Sequence, residues 1–517
     1  MNEHIKIKPV IDAAALEGMV LPEELFIEPA KGGIIDSVKR ENEEYVTVQG
    51  RIFTFREESP NIMWKLLLPG AWNRRTVQYG GGANNGVIPD LEKAPGFNSF
   101  VPVKEGYAAY GDDSGHQSEP MSSEFAANDE ALANYTRLHL IKTYRAVQYI
   151  IEKYYGVKPE FNYFAGFSTG GREALECATT YGKYYDGVFA GEACSNYVLC
   201  RIWGALLSQA VYESYDPVNY PKSDGFIDEE TVKAIQQDAI KRYDALDGIE
   251  DGIVSNIFAA RAGREEFLKE IQEKYHLTQA QLKTIEVYES GYKLDYRMAS
   301  NGMNEYHGYA VLEGGLMDLG PDPVPREPLD TRYNVHHGDR SDGVFKYFIT
   351  KDPNWKLIDH DYRNPTPELY KMLMDASEEY DANAPDFDEF IAHGGKMILF
   401  AGWHDMSQGP WQQIQQYRGY REKYGEDKLK EFCKFYIMPS VTHGGGMDMP
   451  YLDWIDEWCS IGTYPTEPVY GNMHLTGGQM PMAEFPGWVK YIGGDPMKGE
   501  SYEVSYDIPD GFWGKFD

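Results

Sequence analysis

Cysteine is almost missing from this chain: Cys177, Cys194, Cys200, Cys433 and Cys459 are scattered through 517 residues. An odd number without CxxC spacing argues against a disulfide framework and against a zinc site, so the thiols are expected to be mostly buried. Long apolar runs are also missing. Apolar residues make up 42% of the sequence, but no stretch approaches the ~18 uninterrupted ones of a membrane span. The opening Met1-Asn2-Glu3-His4-Ile5-Lys6 has no apolar signal core. As written the chain reads as cytoplasmic and without a membrane partner, the alternative being a secreted protein whose leader has been removed. Positive charge is the third shortage, with 49 basic against 81 acidic residues and a net charge of -32. That field repels nucleic acid and anionic membranes, and points to a small or neutral substrate.

There is chain enough for a large core. The length exceeds what a single core usually supports, so one catalytic domain with an insertion is expected. The 39 tyrosines fit half-buried structural positions better than an aromatic-binding cleft. Between Tyr45 and Pro120, β-type runs alternate with glycine: Tyr45–Val48, Ile52–Phe55, Ile62–Leu68, Thr76–Tyr79 and Gly106–Tyr110. A helix is predicted from Asp129 to Tyr155, with Leu140, Tyr144, Val147, Ile151 and Tyr154 on one face and Gly156 as the stop. A buried strand, Phe161–Ala165, then precedes a helix from Arg172 to Tyr181, and another strand follows at Gly187–Ala190.

This alternation predicts an α/β fold, a mainly parallel sheet covered by helices. The rhythm stops near Ser195. From there to Asp388, helical stretches such as Arg264–Gln281 mix with Gly/Pro/Asp-rich connections, including Gly320-Pro-Asp-Pro-Val-Pro325, and read as an irregular insertion. Strand signals resume at Lys396–Phe400 and Phe432–Met438. The expected division is 1–195 for the first part of the core, 196–388 for the insertion and 389–517 for the second part. No internal repeat or low-complexity segment is present.

Gly166-Phe167-Ser168-Thr169-Gly170 is a G-x-S-x-G sequence between a buried strand and an amphipathic helix, the setting of a nucleophile elbow. Without that setting, a glycine-rich turn with an incidental serine would explain it as well. A serine needs a base, and the base needs an orienting acid. In this architecture both follow later strands, acid before histidine. Asp405 follows the run 397–400 and His443 follows 433–438, which singles them out among twelve histidines and many carboxylates. His116 and His404, each in a glycine-bearing loop, are the rivals. His336 and His337 in the insertion, His139 and His276 in probable helices, and the terminal His4 are weaker. For the oxyanion, the candidate donors are the amide of Thr169 and the Gly80–Gly86 loop, with Gly81 and Gly82 foremost. That loop has neither a Gly-Lys-Ser/Thr ending nor dinucleotide glycine spacing, so a phosphate cradle fits poorly.

Within the insertion, the stretch Asp244 to Ile253 packs Asp244, Asp247, Glu250 and Asp251 around two glycines. Such oxygen density suits Ca²⁺, although the spacing is not that of an EF-hand and a solvated acidic turn remains open.

Taken together, these segments resemble the tannase and feruloyl esterase family, which includes a bacterial mono(hydroxyethyl)terephthalate esterase. The resemblance rests on Trp72-Asn73-Arg74-Arg75, the Gly80–Gly86 loop, Asp113-Ser114-Gly115-His116, Gly166 to Arg172, Tyr185 to Gly191, the Asp244–Ile253 loop, Gly402-Trp403-His404-Asp405 and His443 to Gly446. It implies an α/β-hydrolase core with a large lid inserted after the nucleophile, and Ser168, Asp405 and His443 as the catalytic residues. It also implies a structural calcium held by the side chains of Asp244, Asp247 and Asp251 and the carbonyls of Ile249 and Ile253, with no organic cofactor. One departure stands out. The family's cysteines directly before the serine and the histidine, which pair as a disulfide, are replaced by Phe167 and Thr442. Packing around Phe167 is expected to substitute for that bridge, worth typically ~2–4 kcal/mol.

The expected activity is hydrolysis of esters of aromatic acids, feruloyl (hydroxycinnamoyl) first and galloyl second, through an acyl-enzyme. The substrate would be a small aromatic ester, free or attached to plant polysaccharide or polyphenol. The rival classes are a non-catalytic binder of phenolic ligands, and an acyltransferase or peptidase on the same core.

Overall fold

β-branched and aromatic runs bounded by glycine and proline build ten strands that hydrogen-bond into one sheet. They are β1 (Val20–Leu21), β2 (Gly33–Arg40), β3 (Tyr45–Ile52), β4 (Ile62–Pro69), β5 (Arg75–Tyr79), β6 (Ala108–Asp112), β7 (Phe161–Phe167), β8 (Gly187–Gly191), β9 (Lys396–Gly402) and β10 (Cys433–Met438). The computed structural model describes residues 6–40, 44–92, 97–212, 223–509 and 512; His4 lies outside them.

The sheet order is β1-β2-β3-β4-β6-β5-β7-β8-β9-β10. β1 to β4 run antiparallel, and β6 pairs antiparallel with β4. From β6 through β10 the pairing is parallel. Every residue of β5, β6 and β8 is buried, as expected of parallel strands covered on both faces. On one face Leu66, Leu68, Ala108 and Tyr110 pack against Val147, Ile150 and Ile151 of the helix His139–Tyr155. On the other, Val77, Tyr163, Phe189 and Phe400 meet Tyr451, Leu452 and Ile455 of the helix Tyr451–Ile461.

Several expectations change in detail. Tyr45–Val48 and Ile52–Phe55 are not two strands; β3 runs on through Gly50. A side chain there would meet the Trp64 ring at 2.4 Å, so the glycine admits tryptophan packing rather than a break. The long helix begins as Asp129–Ala133, passes through one π-turn at Asn134–Leu138 and continues to Tyr155, where Gly156 adopts φ 74°. Arg264–Gln281 divides into helices Arg264–Tyr275 and Gln279–Ser290. His276 stops the first in left-handed geometry, and a capping box between Thr278 and Gln281 starts the second.

No strand of the main sheet comes from the described residues between Gly191 and Lys396. The segment is more helical than expected. It includes Tyr197–Tyr212, Glu229–Tyr243, His336–Val344 and Pro367–Tyr380 besides the pair above. Tyr197–Tyr212 is buried on nearly every side, so its sequence carries little polar–apolar period to read. After β10, a three-stranded sheet (Met447–Asp448, Tyr470–Met473, Gln479–Pro481) and a hairpin (Trp488–Tyr491 with Tyr502–Ser505) close the chain. All five cysteines are unpaired, four of them buried. Among the described residues no helix is long and apolar enough to cross a membrane.

Candidate active site

The end of β7 turns so sharply into the helix Thr169–Thr179 that Ser168 takes φ 57° and ψ −116°, a conformation costing of order 1–3 kcal/mol for a residue with a side chain. Neighbouring backbone holds it there. The Ser168 N–H donates to Gly191 O at 3.0 Å, while Ser168 O accepts from the N–H groups of Arg172 and Cys194. The flanking glycines are required by close approach. A Cβ on Gly166 would lie 2.3 Å from Gly170 O, and one on Gly170 would lie 2.7 Å from Gly81 O.

Asp405 and His443 stand just beyond the ends of the parallel neighbours β9 and β10. The fully buried Asp405 accepts the N–H groups of Ser407 and Gln408 on Oδ1, at 2.7 and 2.9 Å, and turns Oδ2 to His443 Nδ1 at 3.1 Å. A second carboxylate, which sequence reasoning missed, reaches the same ring nitrogen. Glu192, directly after β8, places Oε2 3.4 Å from His443 Nδ1 and accepts the Gly444 N–H at 2.7 Å. With Nδ1 held by carboxylates, Nε2 remains for a substrate-side proton.

Burial disfavours the imidazolium, but the charge and hydrogen bond of Asp405, then the charge of Glu192, prevail and raise His443 to about 9. Glu192 is itself pushed well above the usual carboxylate range, first by burial and then by Asp405. The donor atoms of Glu192, Asp405 and His443 lie within 4.8 Å of one another. Two of their carboxylate oxygens are already committed to backbone N–H groups.

Ser168 and His443 line one cavity of ≈ 440 Å³, together with Thr169 and the Gly80–Asn84 turn. The oxyanion expectation needs one correction. The Gly81 N–H donates to Glu173 Oε2 at 3.1 Å, so it holds the loop and does not face the substrate. Gly82 and Thr169 are left as the candidate donors. Glu173 also accepts from Asn85 Nδ2 at 2.6 Å and lies 3.4 Å from His139 Nε2, whose Nδ1 is 2.6 Å from Asp112. Although burial opposes its charge, His139 between these two carboxylates is raised to about 10. This ion triad beneath the glycine loop was not legible in sequence, because its members are far apart along the chain.

The rival histidines are engaged elsewhere. His404 contacts Glu313 O at 3.2 Å through Nε2 and accepts the Ser440 N–H on Nδ1. His116 contacts Asn84 O at 2.9 Å and stacks on Phe125. His336 and His337, weaker candidates by position, are folded by the insertion over the cavity beside Arg201 and Arg340. Phe167, in place of a cysteine, packs against Phe97, Phe189 and Tyr451 with ring centroids 4.8, 5.3 and 6.1 Å away. The Glu192–Gly444 hydrogen bond separately ties β8 to the histidine loop.

In the acidic loop of the insertion, Asp244 accepts from the Asp251 and Gly252 N–H groups, Asp247 from Ile249, and Asp251 Oδ1 from Ile253. Asp251 Oδ2 is buried with no hydrogen-bond partner. Asp247 rises to about 7 through burial, reinforced by Asp251 and Asp244.

A parallel sheet with a serine in a strained elbow after one strand and an acid and a histidine after two later ones is an α/β-hydrolase. A family model for tannase and feruloyl esterase matches residues 46–505. An uncharacterized esterase of Agrobacterium fabrum is 35% identical over 487 residues, covering 90% of this chain and 86% of its own. A probable feruloyl esterase of Arthroderma benhamiae is 24% identical, with 86% and 82% covered. Among solved structures, feruloyl esterase B from Aspergillus oryzae shares the fold with a TM-score of 0.69 at 17% identity, over 95% of each chain. Tannin acyl hydrolase from Aspergillus niger gives 0.65 at 16%, over 95% and 90%. The chain belongs to the tannase and feruloyl esterase family and is an esterase of that family.

Proposed function

We propose that the chain hydrolyses carboxylic esters of aromatic, feruloyl-type acids through an acyl-enzyme on Ser168. The reading is carried by His443, whose Nδ1 is held 3.1 Å from buried Asp405 while the ring lines the same cavity as Ser168. Ser168 Oγ attacks the acyl carbon and its proton passes to His443 Nε2. The oxyanion faces the amides of Thr169 and Gly82. Collapse expels the alcohol, which takes the proton from His443. Water then gives a proton to His443 and attacks the acyl-enzyme; the acid departs and Ser168 regains its proton.

The aromatic acyl class is supported by relatives named feruloyl esterase and tannin acyl hydrolase, and galloyl esters stand second. The substrate is a small ester, free or attached to plant polysaccharide or polyphenol. Comparing kcat/KM for methyl ferulate, methyl caffeate, methyl gallate and ethyl butyrate tests the class. Ferulate is expected to lead, and a clear preference for the aliphatic ester would overturn the acyl assignment.

The acidic loop is a proposed Ca²⁺ site, with the carboxylates of Asp244, Asp247 and Asp251 and the carbonyls of Ile249 and Ile253 as ligands. The buried, unpartnered Asp251 oxygen and the raised Asp247 are what clustered acids show when a cation should balance them. The ion would brace the loop beneath the Trp488–Tyr491 hairpin, whose Tyr491 carbonyl would lie 2.9 Å from a Cβ on Gly248, and would take no part in ester cleavage.

A further inference from the structure

Cys177, Cys433 and Cys459 are ordinary interior thiols, each pushed well above the usual thiol range with burial as the main cause. Cys194 and Cys200 differ. Cys194 lines the cavity that holds Ser168 and His443, and its N–H donates to Ser168 O at 3.2 Å. Cys200 lies six positions on, in the first turn of the helix Tyr197–Tyr212, where its N–H donates to Asn196 O at 2.9 Å. Both are buried, and neither is in a disulfide.

Of the two arginines in the cavity lining, Arg340 has the carboxylate of Asp339 at 3.6 Å. Arg201 has none within ion-pair distance among the described residues, and its Nε is buried without a hydrogen-bond partner. Its guanidinium lies over the Tyr197 ring, 4.6 Å from the centroid, with Nη2 3.7 Å from Cys194 Sγ. Burying a guanidinium with no opposing charge is costly, and a thiolate is the group at hand to supply that charge. Hydrogen bonding between the two thiols leaves them one proton to share. It draws Cys200 well below the usual thiol range, helped by Arg201 and His337 against burial, and lifts Cys194. A thiolate beside a cation near a helix N-terminus is the setting in which cysteine becomes a nucleophile.

We propose that Cys194 and Cys200 are an oxidisable thiol pair at the catalytic cavity, which a peroxide entering that cavity converts to a reversible disulfide that switches the esterase off. Cys194 passes its proton to Cys200, and its sulfur attacks one peroxide oxygen. The S–O bond forms, the O–O bond breaks, and the departing hydroxide takes the proton from Cys200 to become water. The Cys200 thiolate then attacks the sulfenic sulfur of Cys194; the S–S bond forms, hydroxide leaves, and solvent protonates it. Two thiol sulfurs give up the two electrons that the peroxide gains. The disulfide removes the charge opposite Arg201 and pulls on the residue whose N–H holds Ser168 O. The loss of turnover rests on the esterase reading above, whereas formation of the S–S bond does not.

The test treats the full chain with hydrogen peroxide, then unfolds it and blocks free thiols with iodoacetamide. Trypsin leaves both cysteines on one peptide, Tyr184–Arg201. That peptide should emerge unalkylated and lighter by two hydrogens, and dithiothreitol should make both its thiols alkylatable again. Cys177, Cys433 and Cys459 should be alkylated throughout. In step with the disulfide, kcat/KM for methyl ferulate should fall about tenfold or more and recover on reduction. In Cys200→Ser, dimedone should trap the sulfenic acid on Cys194. In Cys194→Ser the ratio of treated to untreated activity should stay near one, a ratio that cancels any general loss of fold. Arg201→Met should slow disulfide formation about tenfold or more. A peptide that stays doubly alkylated, oxidation that falls first on Cys459, or a disulfide that leaves kcat/KM unchanged would overturn the proposal. So would disulfide formation at the parent's rate in Arg201→Met. Should the parent cleave no ester, the esterase reading fails while the peptide map still decides whether the thiol pair exists.

Discussion

Replacing Glu192 with glutamine removes a charge beside the histidine while keeping an oxygen for the Gly444 N–H. The distance from Glu192 Oε2 to His443 Nδ1 is 3.4 Å. At an effective dielectric of ~20 a full charge there would be worth roughly 5 kcal/mol. The ring's net rise, from 6.5 to about 9, is what remains after burial has opposed it, and Asp405 supplies more of the upward push than Glu192. Glu192 is itself displaced upward by burial and then by Asp405, which weakens its hold on the ring. Removing it should lower the histidine by up to about one pH unit, ~1.4 kcal/mol. The sign follows from the chemistry. A general base works only when neutral, so kcat/KM rises with pH through the histidine's pKa, and a lower pKa moves that ascending limb to lower pH. Profiles of kcat/KM for methyl ferulate between pH 5 and 10 read this directly for parent and variant. An unmoved limb accompanied by a lower Tm would refute the electrostatic role and leave Glu192 as a tie between β8 and the histidine loop.

Glu173→Gln should lower kcat by about 10–10²-fold with little change in KM, because it loosens the glycine loop without touching the substrate; a KM-only effect would contradict this. The same variant has a pH signature. His139 titrates near 10 folded against 6.5 unfolded, so its ion-pair stability is complete below 6.5 and lost as pH approaches 10. The Tm gap between parent and variant should shrink over that range. Chelation with EGTA should lower Tm and added Ca²⁺ restore it, with Asp251→Asn abolishing the response; a Tm indifferent to both removes the calcium site. Phe167→Ala, which empties the space between Phe97, Phe189 and Tyr451, should cost about 3 kcal/mol, read by urea denaturation, and a loss under ~1 kcal/mol would show that the aromatic cluster does not brace the elbow.

What could be read from sequence was what is local. Strands β4 to β10 and the helix behind Ser168 announce themselves through apolar runs and glycine stops within a few residues. The elbow needs only Gly166 and Gly170 around one serine, and Asp405 and His443 follow strand ends at legible positions. Glu192, two residues after a readable strand, could have been noticed as a carboxylate beside the elbow, but nothing in sequence says that it meets His443 from 251 positions away. The Asp112–His139–Glu173 triad and the arginine pair are products of long-range packing, in which each member looks like an ordinary helical or loop residue. Gly81 shows the opposite error. A glycine loop in the right place suggests a free amide, and only the fold shows that Glu173 has taken it.

The central claim is that Ser168 is activated by His443 and that the two meet in one cavity. Incubation with a fluorophosphonate, followed by peptide mass mapping, tests it most directly. The account predicts stoichiometric phosphonylation of Ser168 in the parent, slowed on the order of 10³-fold or more in His443→Ala. Labelling at another residue, or at Ser168 with the same rate in both proteins, would contradict it.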